Sequence, residues 1–320
     1  MFKILNIDPE HYSKEAQGIL EGIGKYVGKR LSRWELIEEI ADYDALILRF
    51  AHRIDRTILK NACNLKIIGT NVTGIDHIEH GYLADLGIKL VFLRNSPEQL
   101  KDILSTAELA WGLLLGLIRR IPWAQEGPIC GEWNREQYLG TDLKGKTIGI
   151  LGFGRIGEKV SEYAIAFGMN VMAFTLQPFP NNPHVEFIVD EEEFFNRCEI
   201  LMIHLPLNSI TDHFISKKRI KMLPHGAVIV NTARGAIIDE GALLAALENG
   251  SISGAAIDVM ERELDPKFLD NNPLVSYAKK SNNLIITPHI GGATYESWER
   301  TECIIASEVC AYMKSISHDI

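Results

Sequence analysis

The chain has 320 residues, which fits about two domains at the usual size of roughly 150 residues each. Hydrophobic residues make up 46% of the sequence and charged residues 23%, so a large buried core is available. The formal net charge of -9 argues against a general binder of nucleic acids or acidic membranes, because both partners select a basic face.

The opening residues MFKILNID predict a first strand that stops at Asp8-Pro9. They lack the charged start, apolar run and cleavage site of a signal peptide, so we expect no targeting segment. The five cysteines are scattered and show no Cys-x-x-Cys spacing, which favours a reducing, cytoplasmic location.

Apolar runs alternate with amphipathic segments in the first third of the chain, which is the pattern of a parallel sheet covered by helices. The predicted strands are KILNI, ALILR, LKIIG and IKLVFL, with helical patterns RWELIEEI and RTILKNA among them. We therefore expect one compact α/β unit that ends near Asn95-Ser96-Pro97.

A long helical pattern follows, from about Glu98 to Arg120, and is predicted to stop just before Pro122. Its most apolar stretch, Leu109 to Ile118, is 10 residues long. Because a bilayer-spanning helix needs roughly 20 apolar residues, this stretch predicts a buried helix and no membrane contact.

Residues 121–141 have no clean periodicity and form a predicted arm. The arm carries Trp123, Trp133 and Tyr138, which need another surface to bury them. We favour a subunit-contact arm of a homodimer, and the alternative is a plain surface arm.

The second α/β pattern contains seven candidate strands, TIGIL, NVMAF, VEFIV, EILMIH, AVIVN, GAAIDV and NLIITP. Such a run with intervening helices predicts a doubly wound sheet. The last amphipathic segment, about Tyr295 to Met313, is expected to return to the first unit. The predicted domains are residues 1–98 with 290–320, and residues 99–289.

A glycine motif, Gly152-x-Gly154-x-x-Gly157, lies between the strand TIGIL and the helical pattern RIGEKVSEYAIAFG. In this setting Gly152 permits a tight turn, Gly154 allows a pyrophosphate to approach, and Gly157 lets helix and strand pack closely. Arg155 adds a positive charge at the same place. The motif therefore predicts a dinucleotide site.

Three further side chains follow predicted strands, where open α/β sheets bind ligands. Arg234 follows AVIVN and could grip a carboxylate, although a surface ion pair explains it equally well. His289 follows NLIITP and is a candidate general acid, and Glu261 or Glu263 in the loop after GAAIDV could orient it. Together these residues suggest a dehydrogenase.

The chain resembles the D-isomer-specific 2-hydroxyacid dehydrogenase family over essentially its full length. The resemblance rests on STAELAWGLLLGLIRRI, LKGKTIGILGFGRIG, HLPLNSITDHFI, VNTARGAIIDEGALLAALENGSISGAAIDV and TPHIGGAT. It implies a Rossmann-like dinucleotide-binding domain inserted in a smaller flavodoxin-like substrate domain. It also implies that Arg234 orients the substrate, His289 donates the proton in reduction, and Glu263 pairs with His289.

The family spacing selects Glu263, five residues after the strand-end Asp258, and excludes Glu261. Proline usually follows this glutamate, whereas Leu264 does here, so the loop departs slightly from the family pattern. An amide at this position is typical of the formate dehydrogenases, so the carboxylate favours a hydroxy acid.

The resemblance also places a set of residues around the cofactor beside the glycine motif. They are Thr106, Arg155, Ile156, Leu205, Pro206, Thr211, Thr232, Ala233 and Asp258. The local sequence adds Thr175 and Gly291 as further cofactor candidates, and a glycine at 291 allows close approach of the backbone to a flat ring. Thr175 ends the predicted second strand, where an acidic residue normally holds the adenosine ribose. We expect NAD with relaxed discrimination. NADP is not excluded, because Thr175 lacks the charge that would repel a 2′-phosphate. A preference for NADP is not expected, because TLQP offers no Arg or Lys to bind that phosphate.

The segments LRFAHRID and GTNVTGIDHI resemble the family's two substrate loops. Arg49, His52, Arg53 and the backbone near Gly74 are expected to line the substrate site. These basic side chains suit a phosphorylated substrate, or they are salt-bridged to Asp55 or Asp44.

The expected reaction is hydride transfer between a nicotinamide and C2 of a small 2-hydroxy or 2-keto acid, with a phosphoglycerate-like substrate as one candidate. The alternative is an NAD(H)-binding regulator or corepressor of the same fold. His77 and His80 are spaced like metal ligands, but no third ligand is evident. We therefore expect a solvated helix face there and no metal.

Overall fold

The computed structural model describes residues 1–95, 97–175, 182–265 and 267–317. They form two compact units, one from residues 1–103 with the chain from residue 293 onward, and the other from residues 104–292. These boundaries lie five and three residues beyond the predicted ones at 98 and 289. No helix in the described ranges is both long enough and apolar enough to cross a membrane.

The first unit contains a five-stranded parallel sheet in the order β2-β1-β3-β4-β5, which is the order of flavodoxin-like folds. Its strands are β1 Phe2–Asn6, β2 Gly24–Gly28, β3 Ala45–Leu48, β4 Ile67–Thr70 and β5 Lys89–Phe92. β3 and β4 are buried along their whole length, as expected for central parallel strands with both faces covered.

Three helices of this unit begin at polar caps, which accept hydrogen bonds from the otherwise unpaired amides of the first turn. Ser13 caps α1, Ser32 caps α2 in a capping box with Glu35, and Asp55 caps α3. The helices are α1 Lys14–Glu21, α2 Arg33–Glu39, α3 Arg56–Leu59, α4 His80–Asp85 and the C-terminal helix Tyr295–Ser317.

The C-terminal helix packs directly on β4. A Cβ at Gly69 would lie 2.7 Å from a methyl of Val309 and 2.9 Å from one of Ile305. The missing side chain at Gly69 therefore lets the helix approach the sheet closely.

Two elements of this unit were not predicted, and one expectation was wrong. β2 is bounded by glycines and only partly buried, so it lacks the apolar run that marks a central strand. The helix α1 was also missed. His80 is exposed as expected, but His77 is buried and its ring lies 5.0 Å from that of Phe50.

The second unit contains a seven-stranded parallel sheet in the order β12-β11-β10-β9-β6-β7-β8. If β6 is counted as the first strand, the order from β8 to β12 is 3-2-1-4-5-6-7. The first six strands follow the order of dinucleotide-binding folds, and β12 is an additional strand. All seven predicted strands are present, and the predicted α/β fold class is confirmed. The strands are β6 Thr147–Leu151, β7 Asn170–Phe174, β8 Glu186–Phe187, β9 Ile200–Ile203, β10 Ala227–Asn231, β11 Ile252–Ile257 and β12 Leu284–Ile286.

The predicted helix from Glu98 to Arg120 is shorter in the structure. A 3-10 turn covers Pro97–Leu100, and the α-helix α5 runs only from Ser105 to Ile118. Arg120 adopts a left-handed φ of 56°, so the helix stops before Pro122 by a turn of the backbone. Pro122 instead lies in the first turn of the next helix, where its missing N–H costs little.

The remaining helices of this unit pack around the sheet or lie in the arm. They are α6 Ile121–Ala124, α7 Glu126–Ile129, α8 Arg155–Ala166, α9 Glu191–Arg197, α10 Lys217–Met222, α11 Glu240–Glu248 and α12 Pro273–Ala278. In the arm, Trp123 is half-buried against the core, whereas Ile129, Trp133 and Leu139 are exposed.

Candidate active site

The turn between β6 and α8 has the geometry that the glycine motif predicts. Gly152 has a φ of 94°, and a Cβ there would lie 2.8 Å from the carbonyl oxygen of His204. A Cβ on Gly157 would lie 2.3 Å from the carbonyl oxygen of Gly152. Both positions therefore require glycine so that the strand, the turn and the helix can meet.

Gly154 differs from its two neighbours because nothing lies within 4 Å of where its Cβ would project. It is the N-cap of α8, so unpaired amides and the positive end of the helix dipole face this open space. Arg155 and Ile156 begin the helix. An anionic pyrophosphate fits this surface.

The strand β9 ends beside the glycine turn, and its following residues were predicted to contact the cofactor. Leu205 and Pro206 lie in this loop, and the Thr211 hydroxyl donates to the Pro206 carbonyl at 2.6 Å. Thr211 therefore closes the loop. Burial lowers the pKa of His204 to about 4, which keeps its ring neutral at pH 7.

Thr232 and Ala233 follow β10, at the same edge of the sheet. Within the described ranges the buried Thr232 hydroxyl has no hydrogen-bond partner. A buried hydroxyl without a partner is costly, so this position fits a polar group of a bound cofactor. Together with the open surface at Gly154, this hydroxyl makes the residues present compatible with a dinucleotide.

Thr175 comes directly after β7 and is partly buried. The next three residues, Leu176, Gln177 and Pro178, on which the predicted cofactor preference partly depends, lie outside the described residues.

Asp258 follows β11 and shapes the turn that carries His289. Its carboxylate accepts the Thr287 hydroxyl at 2.6 Å and the amides of Ile290 and Gly291, both at 2.8 Å. Burial raises the pKa of this carboxyl, and the three hydrogen bonds act in the opposite direction. Both carboxylate oxygens of Asp258 accept hydrogen bonds within the turn, so this residue positions the loop. Asp258 also lies at the end of the sheet where the cofactor is predicted to bind.

Gly291 brings this turn close to the start of α5. A Cβ at Gly291 would lie 3.1 Å from the Asp258 carboxylate and 3.3 Å from the methyl of Thr106. The predicted cofactor residues Thr106 and Gly291 are therefore neighbours.

His289 and Glu263 form a direct pair, with 2.6 Å between Nδ1 and Oε1. His289 has a left-handed φ of 53°, and its amide donates to the Asp258 carbonyl at 2.8 Å. The second oxygen of Glu263 accepts the Met260 amide at 3.2 Å. Glu261 lies instead near His213, at 3.5 Å. The geometry thus brings Glu263, and not Glu261, to the histidine.

The loop that carries Glu263 is fixed by contacts that the sequence did not reveal. A Cβ on Gly235 would lie 2.0 Å from the carbonyl carbon of Met260, so only glycine lets this loop cross the end of β10. Glu240 accepts the Glu261 amide at 2.7 Å, and burial raises the pKa of Glu240.

Arg234 lies in the turn after β10. The buried Asn231 side chain bridges this turn, since it donates to the Arg234 carbonyl and accepts from the Ala233 amide. The Arg234 guanidinium donates to the Ala233 carbonyl at 2.8 Å. In the sheet, β11 lies between β10 and β12, and the three strands are parallel. Arg234, Asp258 and His289 follow these strands, so all three residues lie at the carboxyl end of the sheet.

The predicted substrate residues lie along the corresponding edge of the first unit. Arg49, His52 and Arg53 follow β3, and Gly74 lies in the loop after β4. A β-bridge between Ile54 and Ile78 joins the two loops.

Within the described part of the chain, neither Asp55 nor Asp44 forms an ion pair with the basic group. Asp55 pairs with Arg33 at 2.5 Å, and Asp44 pairs with Lys66. Arg49 pairs with Glu302 on the C-terminal helix, at 2.9 Å.

A family model described as "D-isomer specific 2-hydroxyacid dehydrogenase, NAD binding domain" matches residues 111–291. The chain belongs to this family. The resemblance inferred from the sequence motifs is therefore confirmed, and the glycine turn, Arg234 and His289 all lie within the matched dehydrogenase domain.

Two proteins named as dehydrogenase or reductase are similar to this chain in sequence. D-3-phosphoglycerate dehydrogenase of Methanocaldococcus jannaschii is 38% identical over 97% of this chain, but the chain spans only 57% of that protein. Glyoxylate reductase of Thermococcus litoralis is 36% identical over 88% of this chain and 84% of its own length.

A solved structure of the same family has a closely similar fold. D-lactate dehydrogenase of Aquifex aeolicus, crystallised with NAD and lactic acid, has a TM-score of 0.86 at 25% identity. The match covers 99% of this chain and 97% of that one.

Proposed function

We propose that the protein interconverts a small 2-keto acid and the D-2-hydroxy acid, with a nicotinamide cofactor. The observation that supports this most strongly is the His289–Glu263 pair at 2.6 Å. These two residues follow β12 and β11, and Arg234 follows β10, the next strand of the sheet. A bound nicotinamide supplies or accepts the hydride at C2. The protein's own residues then have to bind the carboxylate and move one proton.

His289 is the proton donor to the substrate oxygen in reduction and the acceptor in oxidation. Its Nδ1 faces Glu263, so we assign Nε2 to the substrate. The Glu263 carboxylate stabilises the charged imidazolium and fixes the ring orientation. The left-handed backbone of His289, held by Asp258, presents the ring from the turn.

Arg234 binds the substrate carboxylate. A guanidinium can donate two parallel hydrogen bonds to a carboxylate, which orients C2 as well as attracting the charge. The bridge from Asn231 fixes the backbone from which this side chain projects.

A screen of NADH and NADPH oxidation against pyruvate, glyoxylate, hydroxypyruvate and phosphohydroxypyruvate tests the proposal. We expect turnover with at least one of these 2-keto acids. Tight cofactor binding without turnover on any of them would contradict an enzymatic role and support a cofactor-bound regulator.

We propose NAD(H) as the preferred cofactor, with weak discrimination because Thr175 carries no charge. The variant Thr175→Asp should lower kcat/KM for NADPH by about 100-fold, because a carboxylate there repels the 2′-phosphate, and should change kcat/KM for NADH little. Steady-state kinetics with both cofactors measures the two ratios.

The matched control is Asn282→Asp, which adds the same charge at an exposed position of the same unit, outside the arm of residues 121–141. It should leave both ratios unchanged. An equal loss with NADH and NADPH in Thr175→Asp would place this side chain away from the ribose.

We also propose a cytoplasmic homodimer formed through the second unit and the arm of residues 121–141. The support is the exposed apolar surface of that arm. Ile129 is 73% exposed, Trp133 91% and Leu139 76%, and such side chains usually mark a protein contact.

A further inference from the structure

The short loop of residues 260–263 carries two glutamates, and only one of them meets His289. Glu263 Oε1 lies 2.6 Å from His289 Nδ1, and its Oε2 accepts the Met260 amide at 3.2 Å. Because the bond to Met260 lies within the loop, it shapes the loop but does not attach it to the rest of the unit. The choice between Glu261 and Glu263 therefore depends on what holds the loop from outside.

Glu240 attaches this loop to the helix α11. It is the first residue of that helix and follows the Asp239 cap, whose carboxylate accepts the Ala242 amide at 2.9 Å. Glu240 Oε1 accepts the Glu261 amide at 2.7 Å. The start of the helix is thus fixed by its own cap and carries an acceptor that binds the backbone of the loop.

The side chain of Glu261 is held as well. Its carboxylate lies 3.5 Å from His213 Nε2. His213 has a left-handed φ of 48°, and its amide donates to the Ala236 carbonyl at 2.7 Å. Because its backbone and its side chain are both engaged, Glu261 does not take the place of Glu263 beside His289.

The charged groups near Glu240 disfavour a negative charge at this position. Burial raises the pKa of the Glu240 carboxyl, and the carboxylates of Glu261 and Glu263 raise it further. The hydrogen bond from the Glu261 amide and the nearby His213 act in the opposite direction. A neutral side chain of the same reach therefore fits here, provided that it keeps the acceptor atom.

We propose that Glu240 is a positioning residue that attaches the loop of residues 260–263 to α11 and so aims Glu263 at His289. This inference rests on the proposed function, in which the His289–Glu263 pair moves the proton. Glu240 acts through the backbone of Glu261. The role requires an oxygen acceptor at the reach of a glutamate side chain, and it does not require a negative charge.

Two substitutions separate reach from charge. Glu240→Asp keeps the charge but is one methylene shorter, so the loop loses its attachment. We expect kcat for reduction of the preferred 2-keto acid to fall about tenfold, with KM changed less than about twofold, because the proton donor is misplaced. Glu240→Gln keeps an oxygen acceptor at the same reach and should retain kcat within about twofold of the wild type.

The pH dependence of kcat distinguishes lost positioning from a general loosening of the fold. A Glu263 carboxylate that stabilises the imidazolium extends proton donation to higher pH. In Glu240→Asp the rate of reduction should therefore decline at a pH about one unit lower than in the wild type, whereas Glu240→Gln should follow the wild-type profile. An NMR titration of the His289 ring measures the same shift without turnover.

The matched control is Glu248→Asp, the same change at an exposed position near the other end of α11, which should keep the wild-type kcat and pH profile. Wild-type values in a folded Glu240→Asp would overturn the inference. A tenfold loss in Glu240→Gln would also overturn it, even if Glu240→Asp does not fold, because the charge would then be decisive. A wild type without turnover on any 2-keto acid would reject the proposed function, and the NMR titration would still test the inference.

Discussion

Replacing His289 with glutamine should lower kcat about 1,000-fold, within the range that a positioned general acid contributes. The amide keeps a polar side chain of similar reach but cannot protonate the substrate oxygen. The cofactor dissociation constant should stay within about twofold, because the pyrophosphate surface at Gly154 does not involve the imidazole. Single-turnover kinetics and cofactor titration by fluorescence measure the two effects.

The matched control is His225→Gln, an exposed histidine in the same unit, which should retain wild-type kcat. If His289→Gln turned over at near-normal rate, the proton would have to come from another group. Loss of cofactor binding in the same variant would mean that His289 supports the cofactor and not the proton transfer.

The second unit was predictable because its central strands are buried on both faces and therefore read as continuous apolar runs. The glycine motif was recognisable for a related reason. At Gly152 and Gly157 a side chain would collide with backbone atoms. The turn therefore requires glycine at both positions, and this requirement is visible in the local sequence. The family spacing then selected Glu263, and the structure brings that carboxylate to His289.

The missed features depend on contacts that are distant in sequence. Arg49 and Glu302 are 253 positions apart, and no periodicity links the end of β3 with a buried face of the last helix. The need for glycine at 235 arises only when the loop from Met260 crosses it. β2 was missed for a different reason, since an edge strand needs few apolar residues.

Contacts between residues that are distant in sequence also explain why the substrate could not be predicted. Arg49, His52 and Arg53 form a basic cluster in sequence, which suits phosphate as long as their partners are unknown. In the folded unit, Glu302 accepts from the Arg49 guanidinium, and Asp8 accepts from the backbone amide of Arg49. Counting the basic residues in the sequence therefore overstates the positive charge that this loop carries in the folded unit.

Replacing Arg234 with glutamine should lower kcat/KM for the preferred 2-keto acid by about 1,000-fold, because it removes the charged partner of the substrate carboxylate. Arg234→Lys should lose less, about 100-fold, since it keeps the charge but not the two parallel hydrogen bonds. KM should account for much of both losses. The exposed Arg119, changed to glutamine, provides the control for loss of positive charge in the same unit.

The losses of kcat/KM in the two variants, compared with each other, separate the effect of charge from the effect of geometry. Equal losses in Arg234→Lys and Arg234→Gln would mean that the geometry of the fork matters and the charge does not. Wild-type activity in Arg234→Lys would mean that any cation suffices there. Only a graded loss, with cofactor affinity unchanged, agrees with a guanidinium that both attracts the carboxylate and orients C2 toward His289.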